Sequence, residues 1–89
     1  MKQIKVGIMK NLNETLIEFA KSGNYEMVLL CLENGADVQA DDNYALNWSA
    51  NNGHLDVCRL LIEHGANIES AINSRYINEK GINLLRSLK

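Results

Sequence analysis

Sliding the chain back on itself by thirty residues lays Leu46, Ala50, Gly53, Leu60, Glu63, Gly65 and Ala66 over Leu16, Ala20, Gly23, Leu30, Glu33, Gly35 and Ala36. Val57, Leu61, Ile62, Asn67 and Ile68 fall on Met27, Cys31, Leu32, Asp37 and Val38 in the same register. Self-similarity at a period of about 20 to 50 residues marks a solenoid, whose units bury their apolar faces only against their neighbours. The chain therefore reads as a short stack of near-copies.

Each copy has the pattern of a helical hairpin. Leu16, Phe19 and Ala20 recur at i, i+3 and i+4, the spacing of one helix face, while Glu14, Glu18 and Lys21 lie off it. Gly23 follows, where a left-handed residue closes a helix with no Cβ penalty. A second helix, about Tyr25 to Glu33, carries Met27, Leu30 and Cys31 on one side and ends at Gly35. The second copy predicts helices near Tyr44 to Asn51 and Leu55 to His64, with Asn13 and Asn43 as the caps that open each copy. Residues 71–89 form an incomplete third unit. There Asn73 keeps the capping phase, Ser74 to Lys80 is expected as a short helix with Tyr76 in the place of Leu46, Gly81 interrupts, and Ile82, Leu84, Leu85 and Leu88 give a last helix.

Residues 1–11 lie outside the repeat. Ile4, Val6 and Ile8 alternate with polar residues and glycine, the period of a strand with one apolar face. An arm or lid over the first repeat is the other reading.

Charge bears on the partner. The stretch 14–69 carries ten acidic side chains against Lys21 and Arg59 alone, whereas Lys2, Lys5 and Lys10 precede it and Arg75, Lys80, Arg86 and Lys89 follow it. A phosphate backbone must be met by clustered Lys and Arg, so the acidic centre disfavours direct nucleic-acid binding on the central face. It suits a basic protein surface, including that of a nucleic-acid-binding protein. Acids that merely keep a small protein soluble are the plainer account.

No catalytic set emerges. Zinc-type Cys/His spacing, a phosphate loop and a nucleophile elbow are all missing, and no enzyme activity, metal or cofactor is expected. His54 belongs to a Gly-His turn and is read as bonding backbone across a loop. Cys31 and Cys58 sit at apolar phases and are read as reduced core residues. No apolar run approaches the roughly 20 residues of a membrane helix. A cytoplasmic setting without membrane contact is expected.

The second copy, Leu46-Asn47-Trp48-Ser49-Ala50-Asn51-Asn52-Gly53-His54-Leu55 through Glu63-His64-Gly65-Ala66-Asn67-Ile68, resembles an ankyrin repeat. The phased Gly-His-Leu and His-Gly-Ala blocks carry the match, and residues 12–40 resemble the N-terminal capping version. The resemblance implies an all-α fold: a short ankyrin-like solenoid of helix-turn-helix repeats, with repeat 1 at 12–40, repeat 2 at 41–70 and a divergent C-terminal cap at 71–89. Tyr44-Ala45 replaces the family's Thr-Pro and Asn47 its histidine, so other side chains must bridge the repeats. The period of thirty is shorter than the family's usual repeat, which predicts clipped β-hairpin loops. Compressed repeats of this kind are similar to those of large DNA viruses, and a viral inhibitor of a host factor is one role that follows.

Ankyrin repeats bind other proteins through loop tips and the exposed side of the inner helices. By resemblance the recognition set is Asp41, Asp42, Tyr44, Asn47, Trp48, Asn51 and Asn52. Trp48 has two readings, packing against the third unit or anchoring a partner. The alternative to a binding module is a structural one, self-associating into a homo-oligomer through the N-terminal strand or the C-terminal helix.

Overall fold

The computed structural model describes residues 11–89, so the readings of the strand or arm at the N-terminus lie outside the described residues. Six helices follow one another among the described residues: α1 (Leu12–Ser22), α2 (Tyr25–Glu33), α3 (Ala40–Asn51), α4 (Leu55–Glu63), α5 (Ile68–Ile72) and α6 (Glu79–Ser87). There is no strand among the described residues, so the links between hairpins are clipped to turns. The fold is the all-α solenoid of helical hairpins.

Helix α1 opens two residues earlier than the sequence pattern implies. Asn11, extended at φ −155°, is the cap, accepting from the Asn13 and Glu14 N–H groups at 2.9 and 3.2 Å. Asn13 sits inside the helix and reaches elsewhere: its Oδ1 accepts the Asp37 N–H at 2.7 Å. Thirty residues on, Asn43 Oδ1 accepts the Asn67 N–H at 3.0 Å. Each asparagine thus ties the exit of its hairpin to the entry, and neither is a cap. Two asparagines two residues apart have equal capping chemistry, and only the position of the distant N–H separates them.

The turns repeat as faithfully. Gly23, at φ 78°, ends α1, and the Asn24 N–H returns to the Phe19 carbonyl at 2.9 Å. Gly53, at φ 79°, ends α3 in the same way, with the His54 N–H on the Ser49 carbonyl at 2.8 Å. The closures after α2 and α4, Ala36 N–H to Cys31 O and Ala66 N–H to Leu61 O, are both 3.0 Å.

Two rows result. The helices α1, α3 and α6 pack side by side in one row, with α2 and α4 behind α1 and α3 in the other. Leu16, Ala20, Val28 and Cys31 of the first hairpin and Leu46, Ala50, Cys58 and Leu61 of the second are all fully buried, position for position. Cys58 stands where the first copy has Val28, and Cys31 where the second has Leu61. Both cysteines are free and buried, acting as small apolar side chains. Burial pushes both thiols above the ordinary value of 9.0. At Cys58 the Asp56 charge adds to that rise, and the Ser49 hydroxyl, 3.3 Å from its sulfur, opposes it.

The third unit departs from expectation. Helix α5 falls where a link was foreseen, capped by Asn67 Oδ1 on the Ser70 N–H at 3.0 Å. Of residues 74–80, read as a short helix, 74–78 are turn and loop and only Glu79 and Lys80 are helical, and Tyr76 is 40% exposed instead of taking the buried place of Leu46. Gly81 lies inside α6, which starts at Glu79 behind an Asn78 cap. A Cβ at Gly81 would run into the Asn51 side chain and lie 2.8 Å from Ile77. This glycine is a point of close approach, and no helix stop. With Leu85 fully buried, α6 takes the third place in the first row.

No helix among the described residues is long and apolar enough to cross a membrane.

Candidate functional site

Three adjoining hollows run along the side of the molecule formed by the first-row helices and the links. Glu14, Glu18, Asp41 and Tyr44 border the first; Asp41, Asp42, Tyr44 and Tyr76 the second; Asp42, Glu69, Arg75 and Tyr76 are among the residues bordering the third. Because neighbouring hollows share Asp41 and Tyr44, then Asp42 and Tyr76, they make one trough. The middle section is a notch of about 290 Å³.

Local backbone puts the acids there. Asp41, Asp42 and Asn43 are all left-handed, at φ 54°, 58° and 62°, before α3 becomes regular at Tyr44. Asp and Asn are the non-glycine residues that tolerate this region, through short polar side chains that satisfy nearby backbone. Such a turn reverses the chain within three residues. It leaves Asp41 and Asp42 exposed and buries Asn43, whose side chain makes the bond to Asn67.

Tyr44 and Tyr76 line the trough as two members of an aromatic ladder. Tyr44 meets Tyr76 edge to face, centroids 4.8 Å apart, and Trp48 at 6.0 Å on the other side. Such contacts align the positive edge of one ring with the negative face of the next. The Lys21 ammonium stands 5.1 Å from the Trp48 ring centre, and the Arg75 guanidinium 6.0 Å from that of Tyr76. Both lie within the range in which a ring quadrupole attracts a cation. Trp48 is partly buried, resting against Tyr44 and beneath Lys21, and its indole N–H has no partner.

The seven residues singled out from the sequence divide accordingly. Asp41, Asp42 and Tyr44 border the trough, and Trp48 packs against Tyr44 without bordering it. Asn52 is exposed but engaged, its Nδ2 donating to the Lys21 carbonyl at 2.9 Å, and His54 Nε2 lies 2.9 Å from the same oxygen. Asn47 and Asn51 are inside and closed to a partner. Asn47 is fully buried with Nδ2 pointing to the Asp42 carbonyl at 3.4 Å and its Oδ1 unpartnered. Asn51 accepts the Asn78 N–H and donates to the Tyr76 carbonyl, both at 2.9 Å, stitching the third unit to α3. A signal for Asn47 was present: it aligns with Ile17, a residue that is itself buried. Tyr76, Glu14 and Glu18 also border the trough and were missed, Tyr76 because it was assigned to a core phase.

Among the described residues no three His, Cys, Asp or Glu side chains come together to hold a metal ion.

Comparison with known proteins agrees with this architecture. The family model described as ankyrin repeats in three copies matches residues 2–72. Acyl-CoA-binding domain-containing protein 1 of Arabidopsis thaliana is 39% identical over 51 residues, which is 54% of this chain and 15% of that protein. BCL-6 corepressor-like protein 1 of Homo sapiens is 38% identical over 66 residues, covering 68% of this chain and 4% of the relative. A transient receptor potential cation channel subfamily A member 1 homolog of Caenorhabditis elegans is 32% identical over 68 residues, or 73% and 6%. The chain thus spans a small part of each relative's length. No solved structure matches it significantly.

Proposed function

Starting from the fact that the chain belongs to the ankyrin-repeat family, we propose that it is a non-enzymatic module that docks a basic protein surface through its first-row helices and links. The observation that carries the reading is the trough: Glu14, Glu18, Asp41 and Asp42 line the same surface as Tyr44 and Tyr76. Among the described residues neither Asp41 nor Asp42 has an ion-pair partner. Carboxylates around exposed rings offer a cationic segment both charge attraction and aromatic contact, a pairing that favours fast, selective association. A target that itself binds nucleic acid supplies such a basic surface, and covering it would make the module an inhibitor, as the likeness to compact viral repeats implies.

The test is affinity purification with the unmodified chain beside an Asp41→Lys/Asp42→Lys variant. Partners held by the trough should be basic, should elute with salt and should be lost on charge reversal while helical circular dichroism persists. Capture of the same proteins by both forms would place recognition elsewhere on the molecule.

A further inference from the structure

We infer that the notch bordered by Asp41, Asp42, Tyr44 and Tyr76 seats one arginine side chain of the partner, its guanidinium over the Tyr76 ring and its N–H groups turned to Asp41 and Asp42. The inference rests on the basic-partner reading and narrows it to a residue type and a place. Four observations meet at this point. Tyr44 and Tyr76, in edge-to-face contact at 4.8 Å and 89°, form one aromatic wall of the notch, and Asp41 and Asp42 form the other. Tyr76 is 40% exposed although it belongs to a packed aromatic ladder, which leaves ring surface open to a ligand. The chain's own Arg75 lies 6.0 Å from that ring centre, at the outer edge of useful cation attraction, and does not border the notch itself. Finally, two exposed carboxylates, without an ion-pair partner among the described residues, stand on the left-handed turn at the rim.

A flat, weakly hydrated guanidinium can stack on a ring while its forked donors meet carboxylate oxygens. A lysine ammonium is compact and strongly hydrated, and it loses the stacking. An apolar side chain would strip water from Asp41 and Asp42 with nothing in return. Trp48 does not offer a second such place, because Lys21 already stands over its ring.

The experiment titrates the full chain, at low salt, with a short Gly/Ser peptide carrying spaced arginines and with its lysine twin of equal length and charge. The arginine peptide should bind about tenfold tighter, and Tyr76→Ala should bring the two peptides level. Asp41→Asn/Asp42→Asn should weaken the arginine peptide about tenfold. Asparagine is accepted in the left-handed region, so this pair removes charge and keeps the turn, and circular dichroism checks that both variants remain folded. Equal binding of the two peptides, or an arginine preference that survives Tyr76→Ala, overturns the arginine notch and leaves the basic-partner reading standing. Failure of both peptides to bind overturns that reading as well.

Discussion

The two joints of the stack do the same work by different means. Between the hairpins, the His54 ring and the Asn52 amide converge on the Lys21 carbonyl, and the ring lies where a Gly23 side chain would be. Between α3 and α6, one amide, Asn51, holds two backbone groups of the incoming chain, and Gly81 lets the helix come close. The first joint is a repeat motif with distributed contacts. The second concentrates its polar contacts in one side chain, so damage there should be greater.

Asn51→Leu tests that directly. It leaves the Asn78 N–H and the Tyr76 carbonyl without partners in a tight contact, a loss of about 3 kcal/mol at roughly 1–3 kcal/mol per orphaned group. Chemical denaturation should show that loss, and hydrogen exchange at Asn78 should accelerate. Stability within 0.5 kcal/mol (an approximate surface-mutation margin) would mean that α6 is held by its leucines alone.

The glycines refine the contrast. Gly23→Ala meets both a left-handed backbone and the His54 ring, with Nδ1 2.5 Å from the new Cβ, and should cost about 2 kcal/mol. Gly53 has almost the same φ but faces only the end of Lys80, at 3.4 Å, which can swing aside. Gly53→Ala should cost about 1 kcal/mol, the backbone part alone. In a His54→Ala background the two alanine substitutions should become equal, and a double-mutant cycle by thermal or urea melting reads the coupling. Persistence of the difference would remove the ring as its cause.

A smaller effect separates the repeated core from the terminal joint. The thiols of Cys31 and Cys58 are both held above 9.0, so in alkali the unfolded chain releases protons that the folded chain keeps. The contribution is whole below the unfolded thiol value and is lost as pH rises through the folded one. The denaturation midpoint should therefore fall as pH rises above about 8.5. Cys31→Val/Cys58→Val should flatten that fall, with Val28 as precedent for the second change. An unaltered slope in the double variant would assign the alkaline loss to other groups.

These contrasts explain what could be read from the chain beforehand. The hairpins, their glycine stops and the His54 contact were legible, because apolar spacing and left-handed glycine are local properties and each occurs twice. The third unit was not. Asn67, Asn73 and Asn78 are equally good caps by chemistry, and Gly81 has the look of a stop until the Asn51 side chain is seen beside it. Tyr76 was misplaced for the same reason, since a phase counted forward from Asn73 fails once the helix ends at Ile72. Asp41, Asp42 and Tyr44, which border the trough, had been singled out from the family likeness. Asn47 and Asn51 were taken for surface residues because amides usually are, yet both are used inside, where a polar side chain can satisfy backbone that the shortened links leave open.

The bonds from Asn13 to Asp37 and from Asn43 to Asn67 connect the start and finish of each hairpin at an identical interval. Every hairpin therefore carries its own splice sites, and the junction left after Asn67 is chemically the junction left after Asp37. A duplicated cassette of residues 38–67, inserted between Asn67 and Ile68, should find matching neighbours on both sides and lengthen the trough by one more stretch of wall. Growth by tandem copying is thereby open to this molecule from its middle, while its ends stay as they are.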